Sequence, residues 1–325
     1  ITSSSHLFRT KKSLETENWI LKGNSFHKAE EIFRPLYEGK MISLFDHRFG
    51  SYEGQTQAQA NKGILPKSTE AQHSSPCFLP MPKYWVHESN LPDEIFNRRN
   101  AFLTFRDVAR SVDFRTAVFS TIPATPCSDK LPLVFLPSEQ PCEVIYLASC
   151  FSAFIFDYVA RQKIGGANLG LFILKQLPVL LPNQYIATCG WDNTLSLGDW
   201  ILPRALELTY NAWDLGAFAK DCGYDGPPFH WNVERRFLLR CEMDAAYFNL
   251  YGITRDDVDY IMETFPIVRR EDEKQYSEYR TKRVILEIYD EMQQAIESGE
   301  PYQTRLDPPP ADPAVAHSPR AEVEV

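Results

Sequence analysis

Five arginines, Arg98, Arg99, Arg106, Arg110 and Arg115, crowd into eighteen residues and alternate with Phe96, Phe102, Phe105 and Phe114. Guanidinium groups in such a run hold phosphates or read guanine edges. A second polar group, Arg161, Gln162, Lys163 and Asn168, surrounds a Gly165-Gly166 bend, where small residues and free backbone amides permit close approach of a ligand. The competing expectation is ordinary surface pairing of these arginines with Asp93, Glu94, Asp107 and Asp113, which is common and weak.

Catalytic patterns are imitated but not completed. Chemistry on the amino group of an extruded base needs an Asn or Asp before Pro-Pro-aromatic at a strand end, so that a carbonyl accepts from the amine and a ring stacks on the base. Gly226-Pro227-Pro228-Phe229 puts glycine at the accepting position, and Asp307-Pro308-Pro309-Pro310 has the acid without the ring. The glycines of Gly165-Gly166-Ala167-Asn168-Leu169-Gly170 fall between two helical patterns and lack the preceding strand of a cofactor loop. Asp272-Glu273-Lys274 and Glu38-Gly39-Lys40 fit only half of a metal-dependent nuclease pattern, and no Gly-x-Ser-x-Gly is present. Seven scattered cysteines, never spaced as Cys-x-x-Cys, read as reduced thiols and not as a zinc site.

The elements that must position these residues belong to a chain of 325 residues with 44% hydrophobic content, long enough for one large or two ordinary domains. Neither a signal sequence nor an uncharged run long enough to span a bilayer is evident, so a cytoplasmic location with no membrane partner is expected. The net charge of -9 is uneven. Residues 1–190 hold 20 Lys+Arg against 17 Asp+Glu, and residues 191–325 hold 14 against 26. A nucleic-acid contact therefore belongs to the first part, because phosphate binding needs local positive charge.

Alternation in PLYEGKMISLFDHRFGSYEG suggests a strand and then a loop, and residues 55–82, polar with four prolines, suggest a flexible insertion. LPDEIFNRRN reads as a short helix. KYWV, AFLTFRDV, RTAVFSTIP and LPLVFLP read as strands, the last bounded by Pro132 and Pro137. One helix is predicted from Glu139 to Lys163, a shorter one over NLGLFILKQL, and further helices nearly throughout from Pro203 to Gly299. Residues 301–325, with six prolines, suggest a disordered tail. The resulting fold class is α+β: a junction segment (1–54), the insertion (55–82), a mixed recognition domain (83–186), a helical domain (187–300) and the tail.

In combination, LYEGKMISLFDHRFGSYEG, FRDVARSVDFRTAVFSTIP and FDYVARQKIGGANLGLFILKQLPVLLP resemble the C-terminal target-recognition part of large adenine-specific DNA methylases. The likeness is to the type IIG restriction-modification kind and the related DISARM-type phage-defence methylases. It continues through ELTYNAWDLGAFAKDCGYDGPPFHW, DAAYFNLYGITRDDVDYIMETFPIV and YRTKRVILEIYDEM, covering most of residues 34–310. The resemblance implies double-stranded DNA as a partner and an upstream methyltransferase domain or subunit that supplies S-adenosylmethionine chemistry; other defence-system proteins are further partners it suggests. No cofactor is expected in this chain, which lacks the family's upstream Asn-Pro-Pro-Tyr-type motif and cofactor loop and is expected to be a non-catalytic fragment. Lys40, His47 and Arg48 would lie near the junction with the catalytic domain. Arg98, Arg99, Arg106, Arg110, Arg115, Arg161, Lys163, Gly165, Gly166, Asn168, Lys175 and Gln176 are the expected DNA-facing residues. Rival expectations are a free specificity or scaffold subunit whose acidic helices bind a partner protein, and the nuclease half of a restriction enzyme.

Overall fold

The structure, a computed structural model, describes residues 5–96, 98–110, 112–136 and 140–320. Its helices and antiparallel sheets make it α+β, with the helices concentrated toward the C-terminus. Helix α1 (Lys11–Thr16), capped by the Thr10 hydroxyl, leads into strands β1 (Ile20–Lys22), β2 (Ser25–Lys28) and β3 (Glu31–Pro35). These pair in order and receive β4 (Trp85–His87) on the β3 side, with Phe33 opposite His87 and Pro35 opposite Trp85. Leu14, Phe26, Phe33 and Trp85 form a small apolar core of their own.

Residues 36–54, expected to begin as a strand, do not form one. Their backbone groups bond outside any ladder: Tyr37 N donates to the Pro126 carbonyl (2.9 Å), and the Phe49 carbonyl accepts from Ser68 N (2.9 Å). Phe45 is left-handed (φ 54°), a conformation no extended run sustains. Residues 55–82, expected to be flexible, carry α2 (Gln57–Asn61) and α3 (Glu70–Ser74). Both helices open on a reciprocal Thr-x-x-Gln capping box, at Thr56 and Thr69. The fully buried Arg48 side chain donates to the carbonyls of His73, Ser75 and Phe78 and pins this segment down.

Beyond α4 (Asp93–Phe96), a second sheet is built from β5 (Ala101–Phe105), β6 (Phe119–Pro123) and β7 (Leu133–Val134), in the order β6-β5-β7. Every residue of β5 is buried because both faces are covered. Phe102 joins Tyr37, Met41 and Ile122, while Leu103 and Phe105 join the main core. Pro137 and Glu139, the expected strand end and helix start, lie outside the described residues.

The single helix expected to reach Lys163 is two, α5 (Pro141–Ser152) and α6 (Phe154–Lys163), meeting at 65° around the extended Ala153. Asp244 explains the break: its carboxylate accepts from Phe154 N (2.7 Å), capping the new helix from another part of the chain. Short turns α7 (Leu171–Leu174) and α8 (Pro182–Tyr185) lead to a hairpin the sequence had not announced, β8 (Thr188–Cys189) with β9 (Asp192–Ser196). The rest is helical: α9 (Leu197–Thr209), α10 (Gly216–Asp221), α11 (Val233–Leu250), α12 (Arg255–Glu263), α13 (Pro266–Tyr276) and α14 (Arg280–Ser298). The long helix expected from Glu271 is interrupted at Ser277, which is left-handed (φ 60°). Helix α11 packs against both α14 and α9.

One apolar core runs from Leu44 to Leu306, across the expected boundary at 186/187. Residues 301–320, expected as disordered tail, are held against it. The fully buried Glu242 accepts from Tyr302 OH (3.1 Å), Thr304 Oγ1 (2.6 Å) and Arg305 N (3.0 Å), and Tyr302 and Leu306 are buried. A proline-rich composition lowers helix and strand propensity but does not prevent docking when a buried acceptor organises the segment. No single described helix is long and apolar enough to cross a membrane.

Candidate nucleic-acid interface

The loop after β5 and the bend after α6, singled out separately in the sequence, lie side by side. Leu169 N donates to the Asp107 carbonyl (2.7 Å) and Ala109 N to the Ala167 carbonyl (2.9 Å). The Asp107 carboxylate accepts from Lys130 Nζ (2.9 Å) and Asn168 Nδ2 (3.2 Å), locking the two segments together. The result is an exposed ledge. On it stand Arg110, ion-paired only loosely with Asp113 (3.4 Å), and Lys163, followed by Gly165 and Gly166, where an added Cβ would meet nothing within 4 Å. Val108, Val112 and Phe114 are exposed on the same loop. Lys175 and Gln176 are also exposed; Gln176 turns back to the Phe172 carbonyl (3.1 Å).

Other arginines of the expected set are structural in this fold. Asp157 is fully buried and accepts from Arg115 Nε, Arg161 Nε (3.3 Å) and Thr116 N (3.1 Å). Arg115 lies over Phe154 (4.1 Å) and Arg161 over Phe265 (4.0 Å). Arg161 further reaches the carbonyls of Asp113 (2.7 Å) and Thr264 (3.2 Å). Both brace the ledge from beneath and present no free guanidinium to a duplex. Arg106 donates to the Ile42 carbonyl beside Phe49, and burial lowers its pKa to about 10. Arg98 is exposed, whereas Arg99 is part-buried against Phe135 (5.5 Å) and donates to the Leu136 carbonyl (3.3 Å); both line a hollow of about 590 Å3 in front of α5.

The expected junction residues work inside the chain. His47 is buried against Asp214 (3.0 Å), and Arg48 reaches the Asn211 carbonyl (3.1 Å), so this segment is tied to the residues following α9. Exposed Lys40 donates to the Gly63 carbonyl.

A cleft of about 310 Å3 opens beside this segment, lined by Phe49, Lys67, His73, Trp231, Arg236 and Arg240 among others. Sequence reasoning missed it. The one local signal is Arg236 and Arg240, four apart and so on one face of α11. His73 stacks on Trp231 (3.9 Å) and bonds Asp46 (3.1 Å). Burial pushes the Asp46 carboxyl up, but the hydrogen bond and charge of His73, with the charge of Arg236, outweigh it and leave its pKa low.

The catalytic look-alikes are occupied by structural work. Phe229 is fully buried, and the Pro308 and Pro309 carbonyls accept from Arg235 (2.7 and 2.9 Å). Asp272 caps Thr281 N (2.6 Å), Glu273 pairs with Arg269 (2.7 Å), and Glu38 accepts from Tyr52 OH (2.9 Å). Comparison of the chain with protein-family profiles, curated proteins and solved structures finds no match.

Proposed function

We propose that this chain is a DNA-recognition module that positions double-stranded DNA for an adenine-specific, S-adenosylmethionine-dependent methyltransferase domain or subunit acting with it, in the cytoplasm, as part of a restriction-modification or phage-defence system. The observation that supports this reading most is the ledge. Two segments chosen for their cationic and amide content form one exposed surface carrying Arg110, Lys163 and the open Gly165-Gly166 bend. Cations there orient the duplex by its phosphates, the glycines admit the backbone closely, and Asn168, Lys175 and Gln176 supply groups for base edges.

The test is fluorescence anisotropy of a labelled duplex across a salt series. Log affinity is expected to fall linearly with log salt, and Arg110→Gln with Lys163→Gln to flatten the slope by about 1.8, at ~0.9 per phosphate contact. Salt-independent binding, or an unchanged slope in the double variant, overturns the reading.

One observation favours a second reading, a specificity or scaffold subunit that docks a partner protein. An apolar groove of about 520 Å3 runs between β7 and α8, with Phe172 (81% exposed) and Ile186 (80%) exposed in the 171–186 segment that supplies one of its walls.

A further inference from the structure

Arg240 lines three adjoining hollows, which also share Leu44. The largest of the three is the cleft of Phe49 and Lys67, and another is lined by Phe114, the half-exposed ring at the edge of the ledge.

Among the described residues Arg240 makes one hydrogen bond, from Nε to the Arg236 carbonyl (3.2 Å), and has no carboxylate within ion-pair distance. Elsewhere in the fold Arg115, Arg161, Arg204 and Arg235 each meet a carboxylate directly. A guanidinium taken partly out of water without an acceptor is costly, and its cost is offset when an anion arrives. Burial lowers the pKa of Arg240, although Asp244, which shares two of the hollows with it, and Asp272 pull the other way without bonding it.

Two further cations share the cleft. Arg236 bonds only neutral acceptors, the carbonyls of Leu208 (2.7 Å) and Phe45 (3.1 Å) and the Asn211 side chain (2.9 Å). Lys67 is exposed and rests on Phe49 (5.3 Å) with no acid partner among the described residues. Helix α11, eighteen residues long, starts at Val233 on the cleft wall and adds the positive end of its dipole. Asp46 and Glu70 also line the cleft, but Asp46 is already engaged by His73.

The rings of the cleft already carry partners: Trp231 has Arg236 at 3.7 Å and His73 at 3.9 Å, and Phe49 has Lys67 and Arg106 each at 5.3 Å. A compact, multiply charged group with several acceptor oxygens meets cations converging from α11 and from Lys67.

We infer that the cleft centred on Arg240 is a phosphate site, taking one phosphate group of a nucleic-acid backbone or of a free nucleotide. In its backbone form the inference rests on the DNA reading and deepens it: the ledge holds the duplex, and the Arg240 cleft seats one phosphate of the same strand or its flank.

The full chain is titrated by calorimetry with inorganic phosphate and with 5′-dAMP, and by anisotropy with a labelled duplex in a salt series. The variants are Arg240→Gln and Lys67→Gln, with Arg283→Gln as a remote cation control. The Lys67 side chain is exposed, with a single ring contact to Phe49 and no hydrogen bond or ion pair among the described residues, so its variant stays folded even where Arg240→Gln does not. Loss of phosphate and 5′-dAMP binding in both cleft variants, together with a duplex salt slope lowered by about 0.9 in each, supports the backbone source. Loss of small-probe binding with an unchanged duplex slope supports the free-nucleotide source and rejects the backbone one. Phosphate binding at Arg240 by a chain that ignores duplex DNA leaves the site standing and removes the DNA reading. Probe and duplex binding unaffected by Lys67→Gln, with Arg240→Gln either folded and unaffected or unfolded, overturns the inference.

Discussion

Asp244 is almost fully buried, holds the amide of Phe154 at the α5–α6 break, and stands near Arg115 and Arg240. Burial raises its pKa to about 6, against the opposing pull of Arg115, the Phe154 hydrogen bond and Arg240. The folded chain therefore keeps a proton that the unfolded chain releases near pH 4. Stability from this group is fully present below about pH 4, falls as pH rises toward 6, and is flat above. Asp244→Asn keeps an oxygen for Phe154 N and removes the ionisation. It is expected to match the parent near pH 4 and to exceed it at neutral pH by on the order of 2 kcal/mol. Thermal melts from pH 4 to 7.5 check this; a difference independent of pH sinks it. Asp157, also near Asp244, is enclosed by Arg115 and Arg161, which is why those two arginines serve the fold.

At the scale of elements, Glu242 on α11 converts a proline-rich stretch into a structural strap. It pairs with Arg204 (2.8 Å) and collects three donors from residues 302–305. Ending the chain after Glu300 exposes core surface under Tyr302 and Leu306 and leaves Glu242 with one partner. A loss on the order of 5 kcal/mol is expected, combining apolar exposure with unmade bonds to a charged acceptor. Urea unfolding of the shortened chain measures it, and limited proteolysis of the full chain is expected to spare residues 301–320. Ready cleavage there with unchanged stability contradicts the strap. The helix break at Ala153 has the same kind of origin, a buried acid on a distant helix offering a better partner than the local backbone.

For the whole molecule, the net charge of -9 opposes nucleic acid at long range, so binding depends on cations gathered locally. The ledge and the Arg240 cleft are such gatherings. The single core from Leu44 to Leu306 also bears on cooperativity. Residues 83–186 and 187–300 are expected to unfold together, giving coincident transitions by tryptophan fluorescence and far-UV circular dichroism. Two separated transitions would restore the boundary at 186/187.

Local patterns were sufficient for β4, β5 and β6, for the largely helical stretch after Pro203, and for the α+β class, because alternation, helical spacing and caps act within a few residues. They also made the loop after β5 and the bend after α6 stand out. Tertiary structure alone decided which of their cations are available. Arg110 and Arg115 look alike in sequence, yet one is exposed and the other is held by Asp157, 42 positions away. Arg240 reads as one more polar residue on a core helix until the fold leaves it without a bonded carboxylate and opens a cleft before it. The reason is physical: hydrophobic spacing is a property of neighbours along the chain, whereas the freedom of a charge depends on partners and solvent brought to it from elsewhere.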